Sequence, residues 1–167
     1  MRRFALLGVF CLLLQSAGPA PAGAQSNSAS LTVSANVTKN CTITTAPVNF
    51  GAYDPVVANA TTALDAIGTI TVTCTKGAAA KVAMNAGSNA QGTTRRMSAS
   101  ASEFLNYEVY RDAARTVVWG EGDANSLDIP AAPSRNPRTF TAYGRVAAAQ
   151  DATVGNYTDT VIATVNF

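Results

Sequence analysis

Histidine is absent from all 167 residues, and that absence removes more chemistry than any other feature of the chain. Without an imidazole there is no Ser-His-Asp triad, and most catalytic zinc sites lose their usual ligand. The glycine signatures of phosphate binding, G-x-x-x-x-G-K-[ST] and G-x-G-x-x-G, are missing too, and Ser88 sits in A-G-S-N-A, not in a G-x-S-x-G elbow. Charge is scarce: Asp, Glu, Lys and Arg supply 13% of the residues. The acids Glu103, Glu108, Glu121 and Asp123 lie scattered as on an ordinary surface, and residues 119–128 (W-G-E-G-D-A-N-S-L-D) lack the acidic spacing of a calcium loop. No catalytic residue, cofactor or metal is expected. No apolar run approaches the roughly eighteen residues of a membrane-spanning helix, so membrane insertion of the mature chain is not expected either.

What is present begins with an address. Arg2 and Arg3 form a charged start, residues 4–14 an apolar stretch, and Ala22-Gly23-Ala24 a small-residue cleavage motif, which together read as a secretory signal over residues 1–24. Cys11 lies inside the apolar stretch behind Phe10, a poor setting for lipidation. Cleavage takes two of the twelve basic residues with it and leaves ten against ten acids. A formally neutral chain gives no reason to expect a nucleic-acid partner. The Arg95-Arg96 pair reads as a solvated loop.

Two cysteines remain after cleavage, Cys41 and Cys74, in a chain bound for a compartment that permits oxidation, and they are expected to pair. Cys41 shares parity with Ile43, and Cys74 with Ile70 and Val72, so both point toward a core. About 143 mature residues make one domain of ordinary size.

The period of the apolar residues is two, not 3.6. Leu31, Val33, Ala35 and Val37 alternate with Thr32, Ser34 and Asn36, which describes an extended strand with one apolar face. Residues 69–75 (T-I-T-V-T-C-T) and 81–86 alternate likewise. Residues 104–110 put Leu105, Tyr107 and Val109 on one side, turn through residues 111–114, and return over 115–119 as a hairpin. Residues 140–147 and 157–167 are further strands, the last placing Val161, Ala163, Val165 and Phe167 on one face. Between them, residues 56–68, 87–96 and 120–138 read as connections rich in turn residues. Phe50 is a core anchor, Tyr157 a candidate tyrosine corner, and Trp119, Tyr107 and Tyr110 read better as core or cover than as a sugar-stacking platform. The expected fold is all-β, a two-sheet immunoglobulin-like sandwich.

Seven short motifs in order then resemble one family. They are V-x-A-x-V-x-x-x-C at residues 33–41, F-G-x-Y at 50–53, I-T-V-x-C at 70–74, L-x-Y-x-V-Y-R-D-A-A-R-T at 105–116, W-G at 119–120, Y-G-R-V at 143–146, and G-x-Y-x-D-T-V with a final V-N-F over 155–167. Together they resemble the spore coat protein U domain, the pilin domain of archaic chaperone-usher pili. The resemblance implies an incomplete immunoglobulin-like β-sandwich over residues 40–167, completed by donor-strand complementation. It places the donor in residues 25–39, with Leu31, Val33, Ala35 and Val37 facing a neighbour's groove and Val161, Ala163, Val165 and Phe167 beside the acceptor groove. Implied partners are like pilin subunits, a periplasmic chaperone and an outer-membrane usher, on the way to a cell-surface pilus of adhesive or biofilm type. A spore or cell-surface coat protein of the same fold is the alternative, and a glycan-binding adhesin a more distant one.

Overall fold

The computed structural model describes residue 18 and residues 22–167. The charged and apolar parts of the expected signal, with Cys11, lie outside the described residues. The chain divides into a unit up to residue 35 and a unit from residue 36 onward.

In the first unit, the described residues form no strand or helix, and Leu31 and Val33 are exposed. The alternation there does not produce a strand in the single chain. A lone extended segment has no partner for its backbone N–H and C=O groups, and two-residue periodicity supplies none.

The second unit is built of eight strands: β1 (Cys41–Ala46), β2 (Leu64–Cys74), β3 (Ala80–Met84), β4 (Arg95–Ser98), β5 (Phe104–Tyr110), β6 (Leu127–Ile129), β7 (Arg138–Val146) and β8 (Ala163–Asn166). One sheet has the order β1-β2-β7-β5-β4 and the other β6-β3-β8, with every pairing antiparallel. Along β2 every second residue from Gly68 onward is buried, and β3 buries Ala80, Val82 and Met84, as sheets with one covered face require. Between the layers Ile70, Val72, Val82, Met84, Val109, Trp119, Ile129 and Ala142 form the core.

Trp119 is wholly buried. Its indole N–H donates to the Val82 carbonyl at 2.8 Å and its backbone N–H to Val109 at 2.8 Å, so it ties β3 to β5 with no polar atom left over. Buried in this way, it offers no platform for a sugar.

Several segments depart from the sequence reading. Residues 64–68 are not connection but the start of β2, paired with residues 142–146 of β7. Gly68 is the reason a weak strand former belongs there: a Cβ would lie 2.8 Å from Val48 Cγ2 and 2.7 Å from the Ala46 carbonyl. The return of the hairpin is only an isolated bridge, Tyr110 with Val118. Asp112 accepts the backbone N–H groups of Thr116 and Val117, and Arg115 takes a φ of 56°, so the chain is still turning where a ladder was expected.

Arg95 is no solvated loop residue. It lies in β4, 3% exposed, and its guanidinium donates to the carbonyls of Asn85 (2.7 Å) and Trp119 (2.8 Å) and pairs with Glu108. A buried charge persists when it is paired and its donors are satisfied.

Candidate assembly groove

On one side the two layers are knitted together. Residues 119–120 bond to both β5 and β3, and Arg95 crosses from one sheet to the other. On the opposite side they gape. A cavity of about 1150 Å³ runs between two extended lips, residues 45–56 and residues 152–163. Its floor includes Ile70, Leu105, Tyr107, Val109, Ala142 and Val146 from the five-stranded sheet, with Met84 and Met97.

The first lip follows β1. Residues 47–54 belong to no strand; Val48 and Phe50 instead lie across the inner face of the larger sheet. Gly144 leaves room for them, since a Cβ there would come within 2.6 Å of Val48 Cγ1 and 2.7 Å of Phe50 Cζ. Phe50 also stands edge-on to Tyr107, with ring centroids 6.2 Å apart. At the far end the Tyr53 hydroxyl donates to the Ala147 carbonyl (2.9 Å) and accepts the Gln150 N–H (2.9 Å), which pins this lip.

The second lip leads into β8. It is bonded along one edge: Thr158 exchanges both backbone bonds with Ser98, Ser88 donates to Thr160, and Asn85 donates to Ile162 and accepts the Ile162 N–H on its side-chain oxygen. Only residues 163–166 make a ladder, with β3, so the closing strand is shorter than expected from residues 157–167. β8 is the last strand of its sheet, and its other edge is unpaired among the described residues. Tyr157 donates its hydroxyl to the Thr153 carbonyl at 2.9 Å, fastening the entry to the lip four residues upstream. Val161 and Ala163 line the cavity. Val165 packs partly buried against the core, and Phe167 is exposed.

The floor and the second lip meet at a hydrogen-bonded polar pair. Tyr107 reaches up from the floor and donates to Asp159 Oδ2 at 2.7 Å, while Asp159 Oδ1 accepts the backbone and side-chain N–H groups of Asn89 at 3.0 and 3.1 Å. Burial, and then the carboxylate beside it, push the phenol well above its ordinary range, so it remains a neutral donor. Gly87 makes space for this carboxylate: a Cβ there would lie 2.0 Å from Asp159 Oδ2.

Among the residues singled out in the sequence, Val37, 81% exposed, precedes a firmly held stem. Thr75 accepts the Asn40 N–H on its hydroxyl (3.2 Å) and donates to the Thr38 carbonyl (3.3 Å), beside the Cys41–Cys74 disulfide. Cys41 and Cys74 face each other directly in the β1–β2 register. Leu31, Val33 and Ala35 are all exposed. The alternation of residues 81–86 put Met84 on one face with Val82, and it is buried, but the sequence reading missed Val48, Met97 and the Tyr107–Asp159 pair; Asp159 shares parity with Val161 and Ala163, which was the available signal for an acid on the inner face.

A two-layer sandwich open along one apolar seam, with a last strand unpaired on one edge, has the fold class of chaperone-usher pilus subunits. A chain in the crystal structure of the CsuC–CsuE chaperone–tip adhesion subunit pre-assembly complex, from the archaic chaperone-usher Csu pili of Acinetobacter baumannii, superimposes with a TM-score of 0.57 at 20% identity. That match covers 78% of this chain and 40% of the other, so the chain spans about two fifths of the length of that neighbour. Protein U of Myxococcus xanthus is 35% identical over 160 residues, 88% of each chain. The Spore Coat Protein U domain model matches residues 27–164, and the chain belongs to that family. The family model is that of a spore coat domain, and the fold is shared with a chaperone-usher pilus subunit.

Proposed function

We propose that the protein is a pilus subunit that polymerises by lending residues 25–39 to a neighbouring copy and accepting the same segment from another. The observation that carries this reading is the open seam: an apolar groove of about 1150 Å³ beside an unpaired strand edge. An added strand would supply the missing backbone partners and cover the floor, which is the mode of recognition called β-strand addition. Exposed Leu31, Val33 and Val37 are the apolar side chains offered.

Each large side chain buried in the groove contributes about 1.5–3 kcal/mol, and each new backbone bond about 0.5–1.5 kcal/mol. Ordering the donor costs about 1–2 kcal/mol per residue and offsets much of this. The fibre therefore relies on slow dissociation more than on a large equilibrium margin. An open groove of this kind calls for a periplasmic chaperone to cover it before assembly and for an outer-membrane usher to order the exchange, after export directed by residues 1–24. The product is an extracellular pilus of adhesive or biofilm type.

The match to the Spore Coat Protein U domain favours a second reading, a surface coat made by the same exchange. Electron microscopy of the assembled protein separates a rod from a coat layer. To test the exchange itself, residues 25–38 are deleted and assembly is followed by sedimentation, with circular dichroism reporting the fold. A folded chain that no longer assembles is expected; assembly at the normal rate would remove the donor role from this segment.

A further inference from the structure

The Tyr107–Asp159 pair gives the groove a defined register. Residues 157, 159, 161 and 163 are partly buried while 158, 160 and 162 between them are exposed, so four positions of the second lip face inward. The exposed arm carries four apolar residues at the same two-residue spacing, Leu31, Val33, Ala35 and Val37. Both runs span six residue steps, about 20 Å in an extended chain.

The two ends of the groove differ. Near Ala163 lies Met84, its partner in the β3–β8 ladder, while Ile70, which pairs with Thr45 of the first lip, lines the same groove. Near Tyr157 and Thr158 lie Ser98, Met97 and Leu105. In between, the floor rises where the Tyr107 ring, flanked by the Phe50 edge, meets the Asp159 carboxylate. A large side chain above that point would have to displace two rings or break a satisfied hydrogen-bonded pair. A small one fits.

Every strand pairing in this domain is antiparallel, and an antiparallel donor on the second lip brings residue 31 to Ala163, 33 to Val161, 35 to Asp159 and 37 to Tyr157. Resting on the donor-strand reading above, we propose that Ala35 is the register-determining residue of the donor, the one small side chain in the series placed over the Tyr107–Asp159 pair of a second copy. Leu31 then lies opposite the small Ala163. Val33 and Val37 fill the space on either side of the raised floor. A register shifted by two residues would drive Val33 or Val37 onto the polar pair.

The test uses full-length mature chains with single substitutions in the exposed arm, where the fold of the domain is not at stake. Ala35→Leu is expected to slow assembly at least about tenfold, the scale of a steric misfit at a packed apolar site, while Val33→Leu stays within about twofold of the unsubstituted chain. Ala35→Ser, whose hydroxyl faces a carboxylate, assembles; Val33→Ser is slowed. Normal assembly of Ala35→Leu, or a larger effect of leucine at 33 than at 35, overturns the register. If deletion of residues 25–38 stops assembly and Ala35→Leu does not, the donor reading stands and only the register falls. If the deletion leaves assembly intact, the donor reading itself has failed.

Discussion

Residues 70–74 and residues 31–37 have the same period of two, and both alternate an apolar series containing Val with polar positions that include Thr, yet Val72 is completely buried and Val33 is 85% exposed. The difference is one of neighbours. β2 is flanked by β1 and β7, which satisfy both edges of its backbone, and its inner face meets the second sheet. The arm belongs to no strand. Alternation therefore specifies which side of a segment seeks burial, and only the partners available decide whether burial happens within one chain. A segment that keeps its apolar face without covering it is unusual for a soluble protein, and such faces mark interaction sites.

The sharpest way to break this comparison is to put the same charge in both places. Val72→Asp places an unpaired carboxylate in the core, at a cost of roughly 3–5 kcal/mol or more, and is expected to abolish folding of the mature chain. Val33→Asp should leave the thermal midpoint of the monomer unchanged and stop assembly, with Thr32→Asp affecting assembly far less. Equal effects at positions 32 and 33 would mean that the arm has no inward face. A lowered monomer midpoint for Val33→Asp would mean that the arm is covered within its own chain.

How far the residues themselves reveal the fold depends on whether a segment's partners are local in kind. Ile70, Val72 and Cys74 announce their facing, and the matched parity of Cys41 and Cys74 anticipates two strands that meet at that pair, as the register confirms. The start of β2 was hidden because L-D-A-I-G has poor strand formers whose role is set from afar: Gly68 and Gly144 are required by Val48 and Phe50 lying over them. Arg95 was hidden for a similar reason. A charge in a stretch rich in Gly and Asn reads as solvated, and nothing nearby in sequence reveals that Asn85, Trp119 and Glu108 converge on it. Two of the four inward-facing residues of the second lip, Val161 and Ala163, could be read from alternation, whereas the Tyr107–Asp159 contact spans 52 residues and depends on the folded sheets.

A smaller effect sits at the junction between the two stretches. The Cys41–Cys74 bond joins β1 to the end of β2 and closes a loop with a sequence separation of 33. Loop-closure entropy assigns such a link about 4 kcal/mol, with typical values of about 2–4 kcal/mol. Replacing both cysteines with serine should lower the stability of the monomer by that amount in denaturant titrations. Fibres made by the variant should still form where the domain is folded, because the groove lies between the lips and not at the bond. An unchanged unfolding midpoint would show that β1 is held by its ladder alone.

The smallest expected effect is electrostatic and lies at the solvent-facing start of β2, where Asp65 pairs with Arg145 across the β2–β7 ladder. Its carboxylate accepts from Arg145 Nε at 2.7 Å and Nη2 at 2.9 Å, with Arg115 at 3.3 Å. The Arg145 hydrogen bonds hold its pKa below the ordinary 3.8, with Arg115 adding to the effect. A carboxylate whose folded pKa is depressed stabilises the fold fully above its unfolded value, and that contribution is lost as pH falls through the folded one. Acidification from about pH 5 to about pH 3 should therefore lower the thermal midpoint of the chain more than that of Asp65→Asn. The substituted chain should start slightly less stable near neutrality. The pair is partly exposed, so added salt should shrink the difference between the two chains, in keeping with the small contribution of surface ion pairs. Parallel pH profiles for the two proteins would show that this end of β2 is held by backbone pairing alone, leaving the contrast with the arm entirely to the ladder.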